Sequence, residues 1–157
     1  NILAVRKEPV ADVLSAHWAE YGRNYYSRHD YEGVDAEAAA GLMDGLRARL
    51  ETLAGASAAG LTVAEADEFA YSDPVDGSTA SRQGIRVMFE GGDRVVFRLS
   101  GTGTVGATLR VYLERYEADP AQHGLEPQDA LKAVIQAADK IAGIKTRTGR
   151  AAPDVIT

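Results

Sequence analysis

Two runs of strict alternation, separated by a glycine-rich stretch, constrain the fold of this chain more than any other feature. Val95, Phe97 and Leu99 alternate with Val96, Arg98 and Ser100; Leu109, Val111 and Leu113 alternate with Arg110, Tyr112 and Glu114. A period of two marks half-buried strands. Arg98 and Ser100 then oppose Phe97 and Leu99, and Arg110 opposes Leu109 and Val111. If the strands pair as a hairpin, both arginines aim at whatever the connecting loop holds.

That loop reads Gly101-Thr102-Gly103-Thr104-Val105-Gly106. Glycines let backbone N–H groups approach an anion closely and form a nest, hydroxyls add donors, and arginine matches phosphate with a planar fork of N–H groups. A phosphate-sized anion site follows from these residue types; the alternative is a glycine-rich hairpin with two solvated arginines. The loop fits G-x-G-x-x-G, but a dinucleotide site needs a helix opening at the last glycine, and residues 107–116 alternate as a strand. A kinase glycine-rich loop shares the strand–loop–strand shape, yet no V-A-I-K, H-R-D or D-F-G motif occurs.

At 157 residues the chain fits one domain able to bury a core. The net charge of −6 is interspersed, which argues against nucleic acid or anionic lipid as a partner, since both need a basic stripe. It leaves room for one phosphate held by a local arginine pair. The absence of cysteine excludes disulfides and thiol chemistry and suits a cytoplasmic protein. No apolar run approaches the roughly 20 residues of a membrane span. The start, Asn1-Ile2-Leu3, has neither the basic n-region nor the long apolar h-region of a signal peptide; the lack of an initiator Met suggests a cut-out fragment or a processed product.

Helical spacing predicts a helix over 9–21, with Pro9 at its first position and Gly22 as cap. A strand is expected over 24–31. A long helix follows over 36–54, with Ala39, Leu42, Met43, Leu46, Leu50 and Leu53 in one stripe and Asp35 as N-cap. After a connector at 55–60 come strands near 61–67, 84–90, 94–99 and 108–116, with Gly91-Gly92-Asp93 turning the middle pair. Residues 68–83 read as polar and irregular. A last helix spans about 127–142 and ends at Gly143; the tail from Lys145 to Thr157 reads as irregular, and mobile if nothing holds it. The order is β-α-β-β-β-β-α preceded by a helix, an α+β pattern of helices on one face of an antiparallel sheet.

Several segments together carry a family resemblance. Arg98 to Tyr112 resembles the phosphate-binding loop of the phosphoglucomutase family, in the α-D-phosphohexomutase superfamily. Gly22-Arg23-Asn24-Tyr25-Tyr26-Ser27-Arg28-His29-Asp30-Tyr31-Glu32, Asp73-Pro74-Val75-Asp76-Gly77-Ser78 and Arg147 to Thr157 resemble that family's C-terminal region in consistent order. The resemblance implies the last of four domains, with a TATA-box-binding-protein-like fold, a name without functional content since folds host unrelated tasks. It implies residues 1–24 as a helix and linker from a preceding domain and 25–157 as the phosphate-binding domain. It implies that the domain anchors the non-reacting phosphate of glucose 1-phosphate or glucose 6-phosphate while a phosphoserine elsewhere exchanges the phosphoryl group. Carried over by motif, the phosphate-binding residues are Arg98, Ser100, Gly101, Thr102, Gly103 and Arg110, with Thr104 adjacent. The partners implied are the phosphosugar and the preceding domains of the same enzyme. Magnesium and glucose 1,6-bisphosphate are implied for a full-length parent, with no cofactor, metal ligand or catalytic residue in this chain, which alone is expected to be inactive. An independent phosphate-binding or interaction module is the alternative.

Other constellations read as structural. Thr79-Ala80-Ser81-Arg82 shares three residues with the family's T-A-S-H-N-P-G type motif but lacks the rest, so Ser81 is read as an ordinary loop serine. The family's Asp-Gly-Asp-Gly-Asp and Gly-Glu-Glu-Ser type loops do not occur. Asp73 and Asp76 are expected in turn roles; His17, His29 and His123 lack metal-ligand spacing. Trp18, Tyr25, Tyr26 and Tyr31 are expected in core and interdomain packing rather than as a stacking platform, with Arg23 and Arg28 paired to acids or facing a missing domain.

Overall fold

The computed structural model of the chain describes residues 5–101 and 106–157. Helix α1 (Val10–Tyr21) leads into strand β1 (Arg23–Val34); α2 (Ala36–Arg47) and α3 (Leu50–Leu53) follow, then β2 (Ser57–Ala58), β3 (Leu61–Ser72), β4 (Thr79–Phe89), β5 (Arg94–Ser100) and β6 (Ala107–Glu117). The chain closes with α4 (Pro127–Ala130), α5 (Lys132–Ala142), α6 (Ile144–Thr148) and β7 (Val155–Ile156). The strands form one 7-stranded sheet in the order β2-β3-β4-β5-β6-β1-β7, antiparallel at each pairing. This is the expected α+β architecture.

The alternating residues decide which face is covered. Ile85, Val87, Val95, Phe97, Leu109, Val111 and Leu113 are buried from β4, β5 and β6. Against them lie Ala39, Leu42, Met43 and Leu46 of α2 and Val134, Ala137, Ala138 and Ile141 of α5. These helical positions recur every three or four residues, which makes the apolar stripe that packs on a sheet. Asp35 caps α2 by accepting from the Ala38 N–H at 2.9 Å. The opposite face carries the charged and polar partners of the same strands and stays open.

The helices are more segmented than the pattern suggests. The predicted 36–54 helix breaks at Ala48-Arg49, where Arg49 has φ −113° and ψ 1° and its guanidinium donates to the Gly45 carbonyl at 3.0 Å and the Ile141 carbonyl at 2.7 Å. The predicted 127–142 helix breaks at Leu131 (φ −87°, ψ 0°), whose side chain is fully buried. Gly143, in the left-handed region, ends α5 as expected.

Two expectations are corrected. Residues 68–83 are mostly strand: β3 and β4 pair out to Tyr71↔Ala80 and Ser72↔Thr79, with the Ser72 and Thr79 hydroxyls 3.0 Å apart. Only 73–78 forms the turn, where Asp73 Oδ1 accepts from Val75 N–H at 2.7 Å and Asp76 Oδ1 from Ser78 N–H at 2.8 Å, the turn roles foreseen for both acids. The polar composition misled because this outer half of the hairpin is exposed on both faces. For the same reason Ser81 is an exposed strand residue, not a loop residue. The tail is tied down rather than irregular: α6 forms, β7 pairs with His29 and Asp30 of β1, and Arg150 donates to the Asp154 carboxylate at 3.2 Å and the Glu32 carbonyl at 2.5 Å.

The aromatics divide. Tyr25 and Tyr31 are core residues, and Tyr26 is 76% exposed. The Arg23 guanidinium lies 4.2 Å from the Trp18 ring centre and 4.1 Å from that of Tyr25, joining α1 to the sheet through cation–π contacts. Even so, α1 buries none of its residues, and Val10, Leu14 and Tyr21 are exposed.

Leu42→Ala removes a fully buried side chain between α2 and the sheet and is expected to cost about 2–5 kcal/mol in chemical denaturation. A second expectation concerns His29, buried in β1 with Nε2 2.9 Å from Gln128 Oε1. Burial, opposed by that hydrogen bond and by the Asp30 charge, holds its pKa below the usual 6.5. The unfolded chain therefore takes up the proton first. Stability present above about pH 6.5 declines as pH falls through the folded-state value. Melting temperature measured from pH 7.5 downward should fall in this window, and more steeply in the parent than in His29→Gln; equal slopes would remove His29 as the cause.

Candidate functional site

The hairpin inferred from alternation is present, in register. Arg98↔Arg110, Leu99↔Leu109 and Ser100↔Thr108 are direct partners on β5 and β6, so Arg98, Ser100 and Arg110 share the open face at the mouth of the connecting loop. Gly101 (φ +72°) and Gly106 (φ +99°) bracket the loop in conformations that side chains resist. A Cβ on Gly106 would also sit 3.1 Å from the Val34 carbonyl oxygen. Thr102, Gly103 and Thr104 lie outside the described residues.

Two guanidiniums directly opposite across a ladder repel. Here they splay apart. Arg98 turns toward β4, where its Nε donates to the Gln83 carbonyl at 2.9 Å and its terminal nitrogen to Gln83 Oε1 at 3.3 Å. Its stem crosses Gly84, where a Cβ would lie 2.9 Å from Arg98 Cγ and 2.8 Å from the Phe97 carbonyl oxygen. Arg110 turns toward β1, with Nε 3.9 Å from Asp30 Oδ2. Asp30, 4% exposed, also lies 2.9 Å from Arg28 Nε.

The rest of the open face is matched pair by pair. Arg86 donates to Asp67 Oδ1 at 2.8 Å and holds that carboxyl below the usual carboxylate range; Arg94 pairs with Glu114 across β5 and β6. On this face, among the described residues, the four guanidiniums of Arg28, Arg86, Arg94 and Arg110 are thus ion-paired to the three carboxylates of Asp30, Asp67 and Glu114, and Arg98 has only neutral partners. The surplus positive charge collects at the loop end of β5 and β6, despite the net negative chain. A shallow concavity of about 360 Å³, lined by Phe69, Arg86, Arg94, Val96, Arg98 and Tyr112, adjoins it.

The alternation located Arg98, Ser100 and Arg110 and missed Asp30, Gln83 and Gly84. Asp30 carried a signal, since it falls out of phase with inward Tyr25, Ser27, His29 and Tyr31, but which strand would lie beside β1 is not written in β1. Arg28 pairs with an acid, one of the two options foreseen. Among the described residues no three His, Cys, Asp or Glu side chains converge on a metal-sized point. No helix of the described residues is long and apolar enough to cross a membrane.

Comparison with known proteins gives a consistent result. Residues 23–154 match the family described as phosphoglucomutase-1, C-terminal domain. The chain is 62% identical over its whole length to phosphoglucomutase of Rhizobium radiobacter and 48% identical to human phosphoglucomutase-1, covering 29% of each; it is 50% identical over 94% of its length to the cytoplasmic phosphoglucomutase of Pisum sativum. A crystal structure of pp63/parafusin, a phosphoglucomutase from Paramecium in an open form, matches 94% of the chain with a TM-score of 0.82 and 41% identity, over 25% of that protein. The chain therefore spans under a third of the length of these relatives. Family match, relatives and solved structure agree: the chain belongs to the family of phosphoglucomutase C-terminal domains.

Proposed function

We propose that this domain anchors the non-reacting phosphate of glucose 1-phosphate or glucose 6-phosphate within a phosphoglucomutase that acts in the cytoplasm. The observation that carries the reading is the opposed pair Arg98 and Arg110 at the mouth of a loop bracketed by Gly101 and Gly106. A phosphate dianion between the two guanidiniums replaces their repulsion with two charge-assisted attractions. Ser100, Thr102 and Thr104 add hydroxyl donors, and Gly101 and Gly103 let backbone N–H groups reach the oxygens. The cytoplasmic setting rests on relatives such as the pea enzyme.

The anchor serves catalysis by position. Holding the distant phosphate fixes the sugar so that its reacting end meets groups outside this chain, and remote binding energy is converted into orientation. The sugar must also let go and turn around, because its two ends exchange roles. Exposed Arg98, seated on neutral Gln83, is suited to a clamp that grips and releases. Residues 1–24 form the connection to a preceding domain in this reading, consistent with a helix that buries none of its residues. The proton and phosphoryl transfers are not assigned to this chain, whose Ser81 lies in an exposed strand outside the loop.

Amide NMR titration of the chain with glucose 1-phosphate, with inorganic phosphate and sulfate as controls, should move signals confined to residues 98–110. Arg98→Ala and Arg110→Ala should each weaken binding by about 1.5–3 kcal/mol, the value of a hydrogen bond to a charged group. A titration of either variant that matched the parent would remove that arginine from the site, and shifts centred elsewhere would favour an unrelated interaction module. The isolated chain should not interconvert the two sugar phosphates in a coupled assay.

A further inference from the structure

The three atoms Arg28 Nε, Asp30 Oδ1 and Arg110 Nε are the buried side-chain nitrogens and oxygens that make no hydrogen bond among the described residues. All three belong to one cluster. Arg28 Nε and Asp30 Oδ1 are 2.9 Å apart yet not aligned for a hydrogen bond, and Arg110 Nε is 3.9 Å from Asp30 Oδ2. A buried carboxylate between two guanidiniums is held there by charge while its hydrogen bonding is incomplete. Natural folds seldom leave such groups unsatisfied, and those that persist call for a functional account.

The backbone leaves Asp30 little freedom. Its partner across β6 is Arg110, and its partner across β7 is Val155. Its own carbonyl accepts from Asp154 N–H at 2.8 Å. The acid is therefore fixed from both sides of β1, directly beside one of the two arginines of the proposed clamp and on the side away from Arg98. Without it, Arg110 would have no anchor opposing the push of Arg98, and its long side chain would sample many rotamers. With it, the inner edge of the guanidinium is drawn toward β1, and the terminal nitrogens, on a side chain 39% exposed, stay available to a ligand. Arg28 supplies the second positive charge that keeps the buried carboxylate compensated.

We infer that Asp30 is a positioning residue of the phosphate anchor, aiming Arg110 at the bound phosphate from beneath. The inference rests on the anchor reading given above. It makes a prediction of sign. A carboxylate near an anion site repels the anion, so if Asp30 were only a counter-charge, its neutralisation would tighten phosphate binding. A positioning role requires the reverse.

The test uses the full chain and inorganic phosphate, followed through backbone amides and arginine Nε–Hε signals. In the parent, phosphate moves the amides around residues 98–110. The Arg110 Nε–Hε signal is already displaced from the free-arginine position before phosphate is added. Asp30→Asn, nearly the same shape, should weaken phosphate binding about tenfold, as expected when a charged hydrogen bond to the ligand is misdirected, and should move the Arg110 signal toward the free position. In an Arg110→Ala background the same change should leave affinity where it was. Asp30→Glu, which keeps the charge, should recover part of the loss. Equal or tighter binding by Asp30→Asn, or an undiminished loss in the Arg110→Ala background, overturns the inference while leaving the anchor intact. If Asp30→Asn does not fold, the parent decides alone: an Arg110 signal at the free-arginine position overturns the inference. If the parent's amides around residues 98–110 do not respond to phosphate at all, the anchor reading falls and this inference with it.

Discussion

Two positive charges set directly opposite each other on β5 and β6 are the constraint around which the open face is arranged. Left alone, Arg98 and Arg110 would weaken the ladder that carries them. The fold separates them sideways, one to a neutral amide on β4 and the other to a buried acid on β1. Each solution requires a neighbour of a certain kind. Gly84 must lack a side chain so that the Arg98 stem can cross it, and β1 must lie next to β6 so that Asp30 can reach Arg110. The sheet order, with the first strand inserted between β6 and β7, is what brings an acid of the first strand to an arginine 80 residues further along the chain.

The covered face answers to simpler physics. Apolar side chains from β4, β5 and β6 meet apolar helical stripes, and the burial of that surface supplies the main stabilisation. Three polar side chains on this side are bonded in series. His29 meets Gln128, Gln128 donates to Ser27 at 2.9 Å, and Ser27 donates to the Thr157 carbonyl at 3.1 Å. This chain of contacts joins β1, α4 and β7, so the strand that bears Asp30 is stitched to both its helical cover and the tail.

What could be read from the sequence follows from the range of the forces involved. Strand alternation at Val95–Ser100 and Leu109–Glu114 and the stripe at Ala39–Leu46 are local consequences of backbone period, and they made the fold class and the outward face of the two arginines legible. The breaks at Arg49 and Leu131 were hidden because each depends on a distant contact, a carbonyl at Ile141 for one and the core for the other. The outer half of the β3–β4 hairpin was hidden for the opposite reason: a solvent-exposed strand has no apolar side to alternate. Asp30 was visible as an out-of-phase acid, but the strands beside it lie far along the chain, Arg110 of β6 being 80 residues and Val155 of β7 125 residues away.

That separation also shapes how the domain is made. The outer ladder of β1 is completed by residues such as Thr157, bonded to Ser27 across 130 positions. At about 5–20 residues per second of synthesis, roughly 6–26 s pass between the emergence of β1 and that of β7. During that interval the outer edge of β1 offers unpaired N–H and C=O groups to any other nascent strand. A late-arriving two-residue strand thus acts as the domain's own edge guard, and the time before it arrives is when a growing chain is most exposed to mispairing with a neighbour on the same message.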